Sequence, residues 1–185
     1  MRGRPALAPA RQWPIDFYAM PDPFLVPLFR HKAWCNARLV EALRAAPAGA
    51  DRRQMAVVLY TFDHTSRVDR IFRAHLGGES PDLASSVGTA WPELEALALN
   101  MAETDAWYLD YVSRVTPAEL ESVVEFAFVD DGAAGRMTRG EMLAHVITHG
   151  ASHRGAIGKM LEGLNVAGAP DMVTTFVAEA PTVGA

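Results

Sequence analysis

The run LAHVITHGASHRGAIGKML sets His145, His149 and His153 four residues apart, the spacing that stacks side chains on one face of a helix. Thr138, followed three residues later by Glu141, supplies a capping box at the start of that helix, and Asn165 and Gly168 mark its end past Leu164. Met142, Val146, Ile157, Met160 and Leu164 fall on the same side as the three histidines. The pattern therefore predicts a long amphipathic helix whose imidazoles lie within its apolar stripe. A helix of this kind must be covered by other helices. Buried polar groups without partners cost about 1–3 kcal/mol each, so the imidazoles need hydrogen bonds or a shared ion. Four residues of helix rise about 6 Å and turn about 40° past a full circle, which lets two neighbouring imidazoles meet one ion but not three. At least one further ligand must come from elsewhere.

Three earlier stretches have the helical period. Prolines 21, 23 and 27 lead into FRHKAWCNARLVEALRAAP, with Leu28, Trp34, Leu39 and Leu43 near helical spacing and Pro47 and Gly49 as its stop. Asp51 caps a second helix, in which Val57, Tyr60, His64, Val68, Ile71 and His75 form a ladder ended by Gly77 and Gly78. His64 then faces the core and is the best placed further ligand. A third helix follows Thr89, Trp91 and Pro92 and continues to about Val115, its apolar face drawn from Leu94, Leu97, Met101, Trp107, Tyr108 and Tyr111. ESVVEFAFVDDGAAGRMT reads as two short extended pieces around an Asp-Gly turn, a small hairpin or an irregular crossover between the third and fourth helices. The expected class is all-α, a four-helix bundle. Residues 1–20 read as a lead-in, 21–168 as the bundle and 169–185 as a tail with one short helical turn.

At 185 residues the chain suits a single domain. Its net charge of −5 and scattered basic residues give no stripe for a phosphate backbone, so no nucleic-acid partner is expected. The single cysteine, Cys35, rules out an intramolecular disulfide and points to a reducing compartment, the cytoplasm. No apolar run reaches the roughly 20 residues needed to span a bilayer, and no membrane partner is expected.

The other chemistry-bearing residues read as structural. His31 and His75 have no partner by spacing, Asp63 sits at the rim beside His64, and Cys35 reads as a small buried hydrophobe. Arg154 reads as the partner of a carboxylate such as Glu141 or Asp63, or as a hold on an anionic substrate, and Trp34 and Tyr60 as aromatic lining near the ion. The residues after His145 and His149 are Val146 and Gly150, so the zincin protease motif is absent.

The fourth-helix run, with Arg154 and Gly155 after its last histidine, resembles the hallmark of the DinB-like family of metal-binding bundles. LFRHKAWCNARLVEAL, with Trp34 and Asn36, resembles that family's opening, and DHTSRVDRIFRAHL resembles its ligand-bearing second helix. Ala156 departs from the family pattern, which has Gln at that position. The resemblance implies an up-down-down-up four-helix bundle, often a homodimer, with His64, His149 and His153 as ligands of one divalent ion and His145 as their neighbour. Zinc, nickel and iron all suit such a donor set. It further implies a small-molecule substrate, with the ion activating a low-molecular-weight thiol, in an S-transferase type of reaction, or water against a small electrophile. The alternative is a non-catalytic, stress-related bundle that only binds a metal or ligand.

Overall fold

The computed structural model describes residues 22–169 and 171–179; the expected lead-in over residues 1–20 lies outside them. The chain is mostly helical with one small sheet: α1 (Leu25–Arg44), α2 (Arg52–Gly77), α3 (Leu94–Arg114), α4 (Pro117–Leu120), β1 (Val123–Ala127), β2 (Ala134–Thr138), α5 (Arg139–Gly163) and α6 (Val173–Glu179). The Asp51 carboxylate accepts from the backbone N–H groups of Arg53 and Gln54 and so starts α2. Thr138 and Glu141 form their capping box at α5. A second capping box, Thr116 with Glu119, starts α4, a short turn that the sequence pattern did not reveal. The third helix begins later than Pro92 suggests, because its N-cap is Glu93 and the backbone is irregular up to that residue.

The four long helices pack so that α1 and α2 each contact both α3 and α5. Arg44 at the end of α1 reaches Glu95 at the start of α3 (Nε to Oε1 2.9 Å), so these two helices run in opposite directions. Arg139 at the start of α5 donates to the Leu76 carbonyl at the end of α2 (2.6 Å), which sets that pair antiparallel as well. β1 and β2 pair antiparallel from Val123 opposite Thr138 to Ala127 opposite Ala134. Their turn is closed by Gly132 at φ 72°, a left-handed backbone that glycine adopts without steric cost. Phe126 of β1 packs on Phe72 and His75, fixing the hairpin against α2.

The core is divided into two apolar clusters. One gathers Leu39, Leu43, Val58, Phe62, Leu97, Met101, Ile157 and Leu161; the other gathers Phe29, Val68, Phe72, Tyr108, Val112, Met142 and Val146. On every long helix buried polar residues lie between these two sets. Lys32 and Asn36 on α1, Thr65 and Ser66 on α2, Thr104 and Asp105 on α3 and Arg154 on α5 are all buried at this level, with Asp69 at its edge. Lys32 Nζ stands 2.7 Å from Asp69 Oδ2 and 2.5 Å from Asp105 Oδ1. Asn36 donates to Asp105 Oδ2 (2.8 Å) and accepts from Arg154 Nη1 (3.1 Å). Gly150 makes room for this layer, since a Cβ there would stand 3.1 Å from Arg154 Nη1.

That layer corrects two expectations. The buried face of α2 is Val58, Leu59, Phe62, Thr65, Ser66, Val68, Asp69, Ile71, Phe72 and Leu76, while Val57 is exposed and His64 half-buried. On α5 the buried face runs through Met142, Leu143, Val146, Gly150, Arg154, Ile157 and Leu161, so the three histidines flank the core instead of lying in it. Polar residues lining the core make an apolar ladder point slightly off its true direction.

Candidate metal centre

His64 comes from the middle of α2, and His149 and His153 from the middle of α5. All three lie between the two apolar clusters, at the level of the buried polar layer. The structure brings one ring nitrogen of each to within 4.8 Å of the others. His64 Nε2 and His149 Nε2 are 3.2 Å apart. For zinc–nitrogen bonds of about 2.0–2.1 Å in a tetrahedral site, two ligand nitrogens stand about 3.3 Å apart. The pair therefore fits a shared ion with little movement. No carboxylate joins this group among the described residues, and three imidazoles leave a coordination position for an exogenous ligand, as in catalytic zinc sites.

The surroundings hold the rings in place. A carbonyl oxygen only accepts, so His64 Nδ1 carries the hydrogen in its 2.9 Å bond to the Ser86 carbonyl, and Nε2 is the nitrogen turned towards His149 Nε2. Asp130, in the hairpin turn, accepts from Ser85 Oγ (2.7 Å) and Ser86 N (2.9 Å), which ties the loop behind His64 to the sheet. Arg67 ties the same loop to α2, donating to the Ser85 carbonyl at 3.1 Å and to Asp63 at 2.9 Å. His145 stacks on Phe72 on one side and on His149 on the other. It is outside the three-nitrogen group and acts as a brace for His149. Burial, reinforced by repulsion from His153, His145 and His64, lowers the His149 pKa to about 4, which keeps this ring neutral near pH 7. Its Nδ1 is buried without a hydrogen-bond partner. Burial also lowers the pKa of His153, with His64 adding to the effect.

The other singled-out residues fall elsewhere. His75 packs on Phe126 and takes no part in the cluster. Arg154 is buried and pairs with Asp171 (Nε to Oδ2 2.9 Å) and Asn36, not with Glu141 or Asp63. Trp34 packs against His31 and Phe176, and Tyr60 against Trp91, so both serve contacts other than the expected lining of the ion. Cys35 is buried, and burial together with the hydrogen bond to Asp171 pushes its thiol up to about 12, far from the range of a nucleophile. His31 is not solitary: its Nε2 lies 3.2 Å from Cys35 Sγ. Ser86 and Asp130 escaped the sequence reading, since an Asp-Asp-Gly run reads as turn chemistry and a backbone acceptor has no residue signature. A groove of about 620 Å³ between α1 and α3, lined by Ala37, Val40, Ala98 and Leu99, runs along the face opposite α2 and α5.

No helix among the described residues is long and apolar enough to cross a membrane. No curated protein and no solved structure matches the chain. The model of the DinB family matches residues 20–179, which takes in every helix above and all three histidines. On that match the chain belongs to the DinB family.

Proposed function

We propose that this protein is a metal-dependent enzyme, an up-down-down-up four-helix bundle in which His64, His149 and His153 hold one divalent ion: zinc, nickel or iron. The observation that carries this reading is the convergence of three imidazole nitrogens within 4.8 Å from two separate helices. When bound, the ion supplies Lewis acidity, lowering the pKa of water or of a low-molecular-weight thiol. The chain's own contribution is positional. Ser86 fixes the tautomer of His64, His145, itself stacked on Phe72, braces His149, and burial keeps His149 unprotonated. The three ligand rings are half-buried, which leaves a side open for a small thiol and a small electrophile.

The reaction in this reading is transfer of the thiol sulfur to the electrophile, with attack by water as the competing outcome. A homodimer in the cytoplasm belongs to the same reading. The apolar groove between α1 and α3, with Leu99 60% exposed beside it, supports the dimer, and the unpaired thiol of Cys35 supports the reducing compartment. The test incubates zinc-, nickel- or iron-loaded protein with low-molecular-weight thiols and a chromogenic electrophile and follows thioether formation. Metal-dependent turnover that His149→Ala abolishes is the expected result. A loaded protein that turns over neither thiol nor water would reduce the centre to a binding site.

A further inference from the structure

A second group of metal-ligating side chains lies apart from the three histidines. His31 and Cys35 are one turn apart on α1, and Asp171 lies in the segment between α5 and α6. Cys35 Sγ is 3.2 Å from His31 Nε2 and 2.9 Å from Asp171 Oδ1, and that oxygen is 3.7 Å from His31 Nε2. We propose that His31, Cys35 and Asp171 form a second divalent-metal site, of zinc type, that clips the C-terminal segment onto α1.

The donor set is one nitrogen, one sulfur and one oxygen. Magnesium and calcium take oxygen ligands, whereas a thiolate beside an imidazole selects zinc and its neighbours. With zinc–sulfur bonds of about 2.3 Å and zinc–nitrogen or zinc–oxygen bonds of about 2.0–2.2 Å, the edges of a tetrahedral site measure about 3.3–3.6 Å. The three observed edges bracket that range: the two that include His31 need adjustments of a few tenths of an ångström, and the sulfur–oxygen edge must open by about 0.6 Å. Uptake is a simple exchange: the ion displaces the proton of the Cys35 thiol to solvent, a sulfur–metal bond forms, and nothing is oxidised or reduced.

Arg154 supports the site in spite of its charge. It donates through Nε to Asp171 Oδ2 at 2.9 Å and through Nη2 to Oδ1 at 3.3 Å, and is itself held by Asn36. Ligating carboxylates are commonly oriented by such outer hydrogen bonds, and the negative charges of thiolate and carboxylate offset the ion. The neighbouring cavity, bordered by Cys35, Arg154, Gly158 and Asp171, has a volume of about 10 Å³. That is close to the space of one water. Other contacts already bring the same segment to α1: Phe176 packs on His31 and Trp34, and Arg38 stands 3.6 Å from Glu179.

The test loads the full-length, untagged chain with cobalt(II) and reads two quantities, ions per chain and the thiolate-to-cobalt charge-transfer band in the near ultraviolet. Cys35 is the only cysteine of the chain, so the three-histidine centre cannot produce that band. The expected result is two cobalt ions per chain with the band present. Cys35→Ser should lose the band and one ion, and His149→Ala should lose one ion and keep the band. Circular dichroism checks each fold; if Cys35→Ser does not fold, His31→Ala and Asp171→Asn serve in its place, both expected to lose the band. A wild-type protein without the band, or one whose band survives both substitutions, overturns the proposal. Because His149→Ala separates the two centres, failure here leaves the three-histidine reading untouched.

Discussion

Ser86 holds His64 from behind: its carbonyl oxygen accepts the Nδ1 hydrogen at 2.9 Å, and Nε2 is left facing His149 Nε2 at 3.2 Å. The acceptor sits on a loop that belongs to neither ligand-bearing helix, and Asp130 from the hairpin keeps that loop in register. The turn of a small sheet far from His64 in sequence therefore governs the orientation of that ring.

Removing that support should weaken the centre without removing a ligand. Asp130→Ala is expected to lower zinc affinity about 10-fold, the lower end of the effect of outer hydrogen bonds at metal sites. Competition with a chromogenic chelator measures it. Affinity equal to that of the parent would mean that the loop keeps its place unaided.

The buried layer makes a prediction about stability. Lys32 is 1% exposed and stands between Asp69 and Asp105. Lys32→Met would leave the buried carboxylates without their cation, and breaking a buried pair in this way costs about 3–5 kcal/mol. Urea unfolding of the metal-free protein should show a loss of that size in the free energy of unfolding. A loss below about 1 kcal/mol would place water in the layer.

The same layer carries a pH signature. Burial raises the Asp69 pKa from 3.8 to about 6, with the Lys32 charge opposing and the Asp105 charge adding to the rise. The folded protein thus keeps a proton that the unfolded chain releases, so this contribution to stability is full below about pH 4 and is lost as pH rises through 6. His149, lowered to about 4, acts with the opposite sign and is common to parent and variant. Asp69→Asn in chelator should therefore gain stability relative to the parent between pH 4 and 7. Parallel profiles in thermal unfolding would contradict the assignment.

The helices were legible because their ends carry explicit chemistry. Asp51 and the Thr138–Glu141 pair satisfy orphan N–H groups of α2 and α5, and Asp131 with Gly132 announced the hairpin turn. The three converging histidines were legible from spacing on two helices together with the family resemblance. What the sequence hid was the layer between the two cores. Lys32, Asp69 and Asp105 carry no spacing signal and Arg154 pointed to other carboxylates, since a buried charge is told from an exposed one only by partners brought in from other helices. Asp171 was hidden for the same reason: nothing in a tail that follows a helix end discloses the cysteine it will meet.

The measurement that tests the central claim most directly is metal content by mass spectrometry, on untagged protein loaded with zinc and dialysed, for the parent chain and for His64→Ala. His64 lies on a different helix from His149 and His153 and takes no part in the cluster around Cys35. If the three histidines hold one ion, the variant will contain one ion per chain fewer than the parent, whatever else the chain binds. Equal metal content in the two proteins would contradict the account.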